Sequence, residues 1–438
     1  MKLISGLAKS FASGRTTLGA VLQTSASNIL IQAAYVGSGV ITARSLGPSG
    51  RGSLAAIIMW PQFLAYVMTL GVPAASVYCI RRDPEHSSVY SAAAMVLCVV
   101  MGLVAVMIGF VAIPYSLHTY PPEIIHFARL VVMMAPIALL GITLSTQAQS
   151  AGAFRRMNFF RVAQPVMVLV ALFILWKSST LNPFSASLAY MLAGIPITIW
   201  NFVWVCKFFR PHLRGARKPI QAMLSYGVRV WGADLLSTVS NQVDRILIVG
   251  MLAPRLMGLY IVSQSVAGLL NILPSAVCTV LNPKISGRSI PEIVDATGSA
   301  VRLTMTGMFL GALPLFFAGG FLLNLVYGNK FDGAAAILRI LLFEAVLDGM
   351  TAVSSQGFLA AGVPGTVTLL EGCGLVTAVP LMYWMIPRWG LQGAAYALLM
   401  ATGIRYLFVA LNFPFRFKVS PPSLILKSTD LAMLRRRQ

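Results

Sequence analysis

Asp244 and Arg245 stand side by side in NQVDRILIVGML, residues 241–252, with long apolar runs on both sides. A charged side chain at the centre of a membrane helix costs about 2.5–3.5 kcal/mol on insertion scales, so an intramembrane acid and base need a reason. At 100° per residue, Asp234, Ser237, Thr238, Asn241 and Arg245 fall on one polar stripe. Asp244 lies about 100° away from Arg245, so the neighbours do not face each other. Each must find a partner on another helix, or water. A second stripe joins Glu344, Asp348, Thr351 and Ser355, spaced i, i+4, i+7 and i+11, with Arg339 on a different side. Glu371 and Arg405 add one charge each to the two spans that follow. Arg229 sits nearer the start of the seventh span, and Arg129 follows Glu123 and His126 just inside the fourth. Two readings compete for such charges: interhelical salt bridges or snorkelling side chains that fix the bundle, or the walls of a hydrated cavity. Arg245 is about 10 Å along a helix from Leu252, within snorkelling reach. The short acids are not, and the set as a whole favours the cavity.

Catalytic alternatives find little support. His86, His118, His126 and His212 are scattered in or near loops without an H-E-x-x-H pattern. No G-x-x-x-x-G-K-[ST] phosphate loop is present, which argues against nucleotide hydrolysis by this chain. Glu344 and Asp348 would suit glycosidic chemistry only in an aqueous domain, and both fall in mid-span. The five cysteines have neither metal-ligand nor disulfide-framework spacing. Neither enzyme activity nor a cofactor or bound metal is expected.

The elements that must position these charges are membrane spans. Of 438 residues, 57% are hydrophobic and 10% charged, with mean hydropathy +0.80. A soluble domain carries about 25% charged residues, so this chain lacks the polar surface to coat a water-soluble particle. Runs of about 20 apolar residues predict twelve helices: 19–43, 53–80, 89–113, 125–150, 157–177, 184–207, 222–250, 256–281, 300–327, 333–361, 365–387 and 391–413. The lengths exclude a β-barrel, whose strands alternate over about ten residues. Met1–Thr17 reads as the basic foot of a retained first helix rather than a cleaved signal. With twelve spans, 22 loop Lys and Arg fall on the side of the N-terminus and 6 on the other. That asymmetry predicts cytoplasmic termini. It also accounts for most of the +21 formal charge without nucleic acid, the basic tail suiting anionic headgroups.

A weak repeat runs through the chain. Leu46, Pro48 and Gly52 recur as Leu252, Pro254 and Gly258, and Arg82 and Tyr190 meet Arg288 and Tyr396 at the same offset. Ala151-Gly152 answers Ala361-Gly362 slightly further out. Six helices per copy make the repeat parallel, with a site expected between the halves near mid-membrane. The expected organisation is a six-helix lobe over 1–209, a basic cytoplasmic linker over 210–221, a second lobe over 222–413 and a basic cytoplasmic tail over 414–438. Prolines in most spans, among them Pro61, Pro73, Pro136, Pro165, Pro196, Pro274, Pro314 and Pro380, predict bent helices.

ARSLGPSGRGSLAA after the first span, and the block SNQVDRILIVGMLAPRLMGLYIVSQSVAGLLNILPSAVCTVLNPKIS, carry a resemblance. The chain resembles the polysaccharide-export and O-antigen flippases of the multidrug/oligosaccharidyl-lipid/polysaccharide (MOP) superfamily. The resemblance implies an all-α fold of two six-helix lobes around a central cavity with alternating access, in the bacterial inner membrane. It implies a cargo, an undecaprenyl-diphosphate-linked oligosaccharide moved to the periplasmic leaflet, and contact with other polysaccharide assembly proteins. By position, Arg245 would meet diphosphate or acidic sugar, with Arg229, Arg339, Arg405 and Arg129 as further candidates. Asp244, Asp234, Glu344 and Asp348 would hold those arginines or bind a coupling ion, H+ or Na+. Peptidoglycan-precursor flippases of the superfamily usually carry extra helices that this chain lacks. The alternatives are a multidrug/cation antiporter of the same superfamily and a membrane enzyme of glycan assembly.

Overall fold

A computed structural model describes residues 17–419, and helix is the regular structure found among them. The basic foot with Lys2, Lys9 and Arg15, and the tail beyond Val419, lie outside the described residues. Fifteen α-helices follow in order: α1 Thr17–Val67, α2 Val72–Arg82, α3 Ser87–Ser116, α4 Pro122–Val132, α5 Ala135–Ser150, α6 Phe154–Lys177, α7 Pro183–Leu192 and α8 Gly194–Phe209. After the basic loop come α9 Arg217–Ser240, α10 Val243–Met251, α11 Pro254–Ala267, α12 Ile272–Ile285, α13 Ile290–Tyr327, α14 Ala334–Ala360 and α15 Pro364–Phe417.

Seven helical stretches among the described residues are long and apolar enough to cross a membrane, and the pair α4–α5, bent by 42°, makes an eighth. Two of the seven, Leu30–Arg82 and Pro364–Phe417, hold 53 and 54 residues. Either would span about 80 Å if straight, against about 30 Å of hydrocarbon. Each is broken by a glycine that only a residue without a Cβ tolerates: Gly47 at φ 68, ψ −176 and Gly390 at φ 55, ψ −133. Each therefore carries two of the expected crossings. The remaining two expected spans are α9–α10 and α14, the stretches that hold Asp234, Asp244 and Arg245, and Arg339, Glu344 and Asp348. Both are rich in polar and charged residues, and α10 has only nine residues. On α13 the outward residues Leu310, Leu313, Phe317, Phe321 and Leu325 form an exposed apolar stripe at helical spacing. Such a stripe suits hydrocarbon and would be an aggregation hazard in water.

The prolines divide into two groups. Pro61, Pro165, Pro314 and Pro380 lie inside continuous helices. Pro73, Pro136, Pro196 and Pro274 instead fall within the first three residues of a new segment, where the missing N–H had no intrahelical acceptor anyway. The repeat has a local structural counterpart. Pro48 follows the Gly47 break, and Pro254 opens α11 after the Leu252–Ala253 turn. Both α5 and α14 end in a Schellman motif. Gly152 (φ +73) and Gly362 (φ +75) donate to Gln149 O and Leu359 O, and Ala153 and Val363 donate to Ala148 O and Phe358 O.

The chain divides into two compact units after Thr238, beyond the 210–221 linker. The physical reason is that most of α9 packs on the first unit. Gly227 meets Gly71 so closely that a Cβ on Gly71 would lie 2.2 Å from the Gly227 carbonyl oxygen. Helix α1 ends at Val67, and the Trp231 indole N–H of α9 donates to the Val67 carbonyl at 2.7 Å. That carbonyl would otherwise be left open at a helix terminus. In the second unit α14 is the central element, packed against α11, α12, α13 and α15 and buried along most of its length.

Candidate functional site

The second unit gathers most of its intramembrane charge at one place. Helix α9 stops at Ser240, Gln242 takes φ −126, ψ −6, and α10 starts at Val243. This break corrects the stripe expected from Asp234 through Asn241 to Arg245. Uninterrupted 100° periodicity does not hold across it. Asp234 lies with the first unit, Arg245 with the second.

Asp244 and Arg245 form no ion pair with each other, and both reach α11. Tyr260, fully buried, donates its hydroxyl to Asp244 Oδ2, and Gln264 Nε2 donates to the same oxygen at 3.0 Å. Arg245 Nε donates to Gln264 Oε1 at 2.9 Å, and its Nη1 to Gln242 Oε1 at 3.4 Å. One amide therefore joins acid to base, its NH2 toward the carboxylate and its oxygen toward the guanidinium. Arg245 is held by neutral acceptors and keeps its charge available. Tyr260 and Gln264 form an i, i+4 pair in YIVSQ. That spacing marks one helix face, though nothing local links the face to Asp244.

Glu344 and Asp348 lie one turn apart on α14, as their spacing predicts, and their partners come from α15. Thr402 Oγ1 donates to Glu344 Oε1 at 3.0 Å. Arg405 donates through Nη2 to Asp348 Oδ1 and through Nη1 to Glu371 Oε2, the latter at 3.1 Å. Both of its terminal nitrogens are thus committed to carboxylates. Asp244, Gln264, Asn271, Glu344, Asp348, Thr402 and Arg405 all line a cavity of about 190 Å³. The Asn271 Oδ1 is buried there without a hydrogen bond among the described residues. Three carboxyl groups and one lining arginine make this an acid-rich polar chamber. It brings one guanidinium within reach of two acids.

The remaining candidates lie elsewhere. Arg339 is exposed; its Nε donates to Phe316 O at 3.4 Å and its Cζ sits 5.5 Å from the Phe316 ring centroid. This is a clasp between α14 and α13, away from the cavity. Arg129 buries its Nε without a partner among the described residues. Asp234 lines an open pocket of about 780 Å³ in the first unit together with Arg81, Arg82, Tyr78 and Tyr226. Arg229 lines a second one, of about 460 Å³. Sequence reasoning treated Arg81 and Arg82 as loop charges and passed over the tyrosines. It counted Arg51 as a loop charge too, one of the six on the far side; Arg51 is 9% exposed, and its Nε and Nη1 find no hydrogen bond among the described residues. Among the described residues no group of three or more His, Cys, Asp and Glu is placed to hold a metal ion.

Comparison with solved structures identifies the architecture. The lipid II flippase MurJ in its inward closed conformation superposes with a TM-score of 0.74 at 14% identity, over 91% of this chain and 88% of that one. A multidrug-resistance MATE transporter of the MOP superfamily, inward-facing, gives 0.72 at 15% identity, over 89% and 96%. At such identities the likeness establishes the fold alone: the all-helical, multi-pass membrane architecture of these two transporters. By sequence, a Shigella flexneri protein named as an O-antigen transporter is 23% identical over 184 residues, which is 41% of this chain and 43% of that relative. The profile of the family described as "Polysaccharide biosynthesis protein" matches residues 20–287, more than half of the chain and including both the Gly47–Pro48 turn and the Asp244–Arg245 pair. The chain belongs to the polysaccharide biosynthesis protein family.

Proposed function

We propose that this protein flips an undecaprenyl-diphosphate-linked oligosaccharide across the bacterial inner membrane for cell-surface polysaccharide synthesis. The termini are cytoplasmic, and 1–209 and 222–413 act as two lobes in alternating access. The observation that carries this reading is the different way in which Arg245 and Arg405 of the second unit are held. Arg245 has neutral amide partners and can turn toward a diphosphate. Arg405 commits both terminal nitrogens to Asp348 and Glu371, with its Nε buried without an acceptor among the described residues, and belongs to the framework or the coupling machinery. A diphosphate headgroup cannot cross about 30 Å of hydrocarbon unaided. A charge-assisted contact that forms as water is shed lowers that barrier. The polyprenyl tail meanwhile stays in lipid. Asp244, Glu344 and Asp348 bind the coupling ion, H+ or Na+, and other polysaccharide assembly proteins deliver and collect the cargo.

The acid-rich lining of the 190 Å³ chamber supports a second reading, an antiporter for organic cations. Deleting the gene separates the two. Accumulation of completed lipid-linked repeat units on the cytoplasmic side with loss of surface polysaccharide supports the flippase. Unchanged surface glycan with lost drug efflux supports the antiporter. Within the flippase reading, Arg245→Ala abolishes surface glycan at normal protein abundance. A fall in folded protein that matches the loss of glycan would instead assign Arg245 to the framework.

A further inference from the structure

The open pocket of the first unit is built from elements that the function above does not use. Helix α2 ends in Arg81 and Arg82, and one turn earlier Tyr78 stacks on Tyr226 of α9, centroids 4.2 Å apart and planes within 6°. Arg82 lies over the Tyr78 ring, Cζ to centroid 5.7 Å, and its Nη1 donates to the Tyr78 hydroxyl at 2.6 Å. Arg81 Nη2 donates to the Gln149 carbonyl at 3.0 Å. Neither arginine is paired with a carboxylate among the described residues; the nearby Asp83 is bound by His86. Both guanidinium groups are thus oriented by neutral contacts with donors to spare. The stacked tyrosines line both first-unit pockets, and Arg229 stands in the second one. From Tyr226 to Asp234 the pocket runs about 12 Å along α9.

These features have one chemistry in common. Two adjacent, oriented arginines suit the paired phosphate groups of a diphosphate. Aromatic walls take the apolar face of a sugar ring, and the exposed Asp234 carboxylate, two turns along α9 from Tyr226, accepts from sugar hydroxyls. The length suits a diphosphate followed by a short saccharide.

We propose that this pocket is a glycosyl-diphosphate site, in which Arg81 and Arg82 hold the diphosphate while the Tyr78–Tyr226 pair and Asp234 hold the first sugars. The proposal rests on the flippase reading for its place in transport, as the loading position before cargo reaches the second unit. The ligand chemistry has two sources, a polyprenyl carrier or a soluble nucleotide sugar.

The test is binding to the full-length protein in nanodiscs, with farnesyl-diphospho-N-acetylglucosamine, farnesyl diphosphate and UDP-N-acetylglucosamine as probes. Arg81→Ala/Arg82→Ala is expected to weaken the first probe about tenfold or more, with Arg81→Lys/Arg82→Lys intermediate. Tyr226→Leu is expected to weaken that probe but not farnesyl diphosphate, a split that a merely misfolded variant would not give. If UDP-N-acetylglucosamine binds as well as the lipid probe and is equally sensitive, the site stands and its source is soluble. If the wild type binds and neither pair of arginine substitutions changes affinity, the proposal fails while the flippase reading survives. If the wild type binds no probe yet surface glycan still depends on the gene, the proposal fails alone. Loss of both binding and glycan dependence removes the two together.

Discussion

Arg405 is where the packing of the second unit makes a quantitative demand. Its side chain is 14% exposed and is shared between Asp348 (39%) and Glu371 (27%). Arg405→Met keeps the volume and the apolar stem but leaves two carboxylates facing each other without a cation. Removing one partner of a buried ion pair costs about 3–5 kcal/mol. The acids retain access to water, so part of their charge is rehydrated, and the low end, about 3 kcal/mol, applies. For a unit of this size that lowers Tm by about 6–12 °C. The assay is thermal unfolding of the purified protein in nanodiscs, read by intrinsic fluorescence. Arg405→Met combined with Asp348→Asn and Glu371→Gln removes the charges as a set and should recover most of the lost Tm. A triple variant no more stable than the single one would refute the argument, because uncompensated charge would then not be the cause. A single variant with unchanged Tm would refute it as well. If recovery of Tm comes without recovery of surface glycan, the cluster serves coupling in addition to holding α14 against α15.

Two further outcomes follow from local geometry. Tyr260→Phe removes one of two donors to the buried Asp244 carboxylate and should cost about 1–3 kcal/mol, read as a lower Tm; an unchanged Tm would mean that Gln264 alone satisfies the acid. Gly47→Ala puts a Cβ into a backbone region essentially reserved for glycine, with strain of about 1–3 kcal/mol and a reduced yield of monodisperse protein, whereas Gly39→Ala in the same helix, which meets no atom within 4 Å, should be silent.

The class of protein, the apolar runs behind most of the expected crossings and the punctuation between them were legible in the amino-acid sequence because each depends on neighbours along the chain. An apolar run of sufficient length must be a spanning helix wherever its partners lie. Gly152 and Gly362 end their helices alike because each supplies a left-handed residue at the same place in a Schellman motif. The pairing of Glu344 with Asp348 on one face needed only 3.6 residues per turn. What tertiary structure decided is which groups meet. The break at residues 241–242 separates Asp234 from Arg245, and no periodicity announces it. Gln264 is the partner of both Asp244 and Arg245 only because α11 folds back beside α10. Arg339 points to Phe316 and Arg405 to two acids, although both are single arginines in apolar helices. Tyr78 and Tyr226 lie 148 residues apart in the sequence, and they stack because Gly71 and Gly227 let two backbones approach where any side chain would hold them apart. Contacts of that kind depend on distances between segments far apart in the chain, and the local pattern of residues does not encode them.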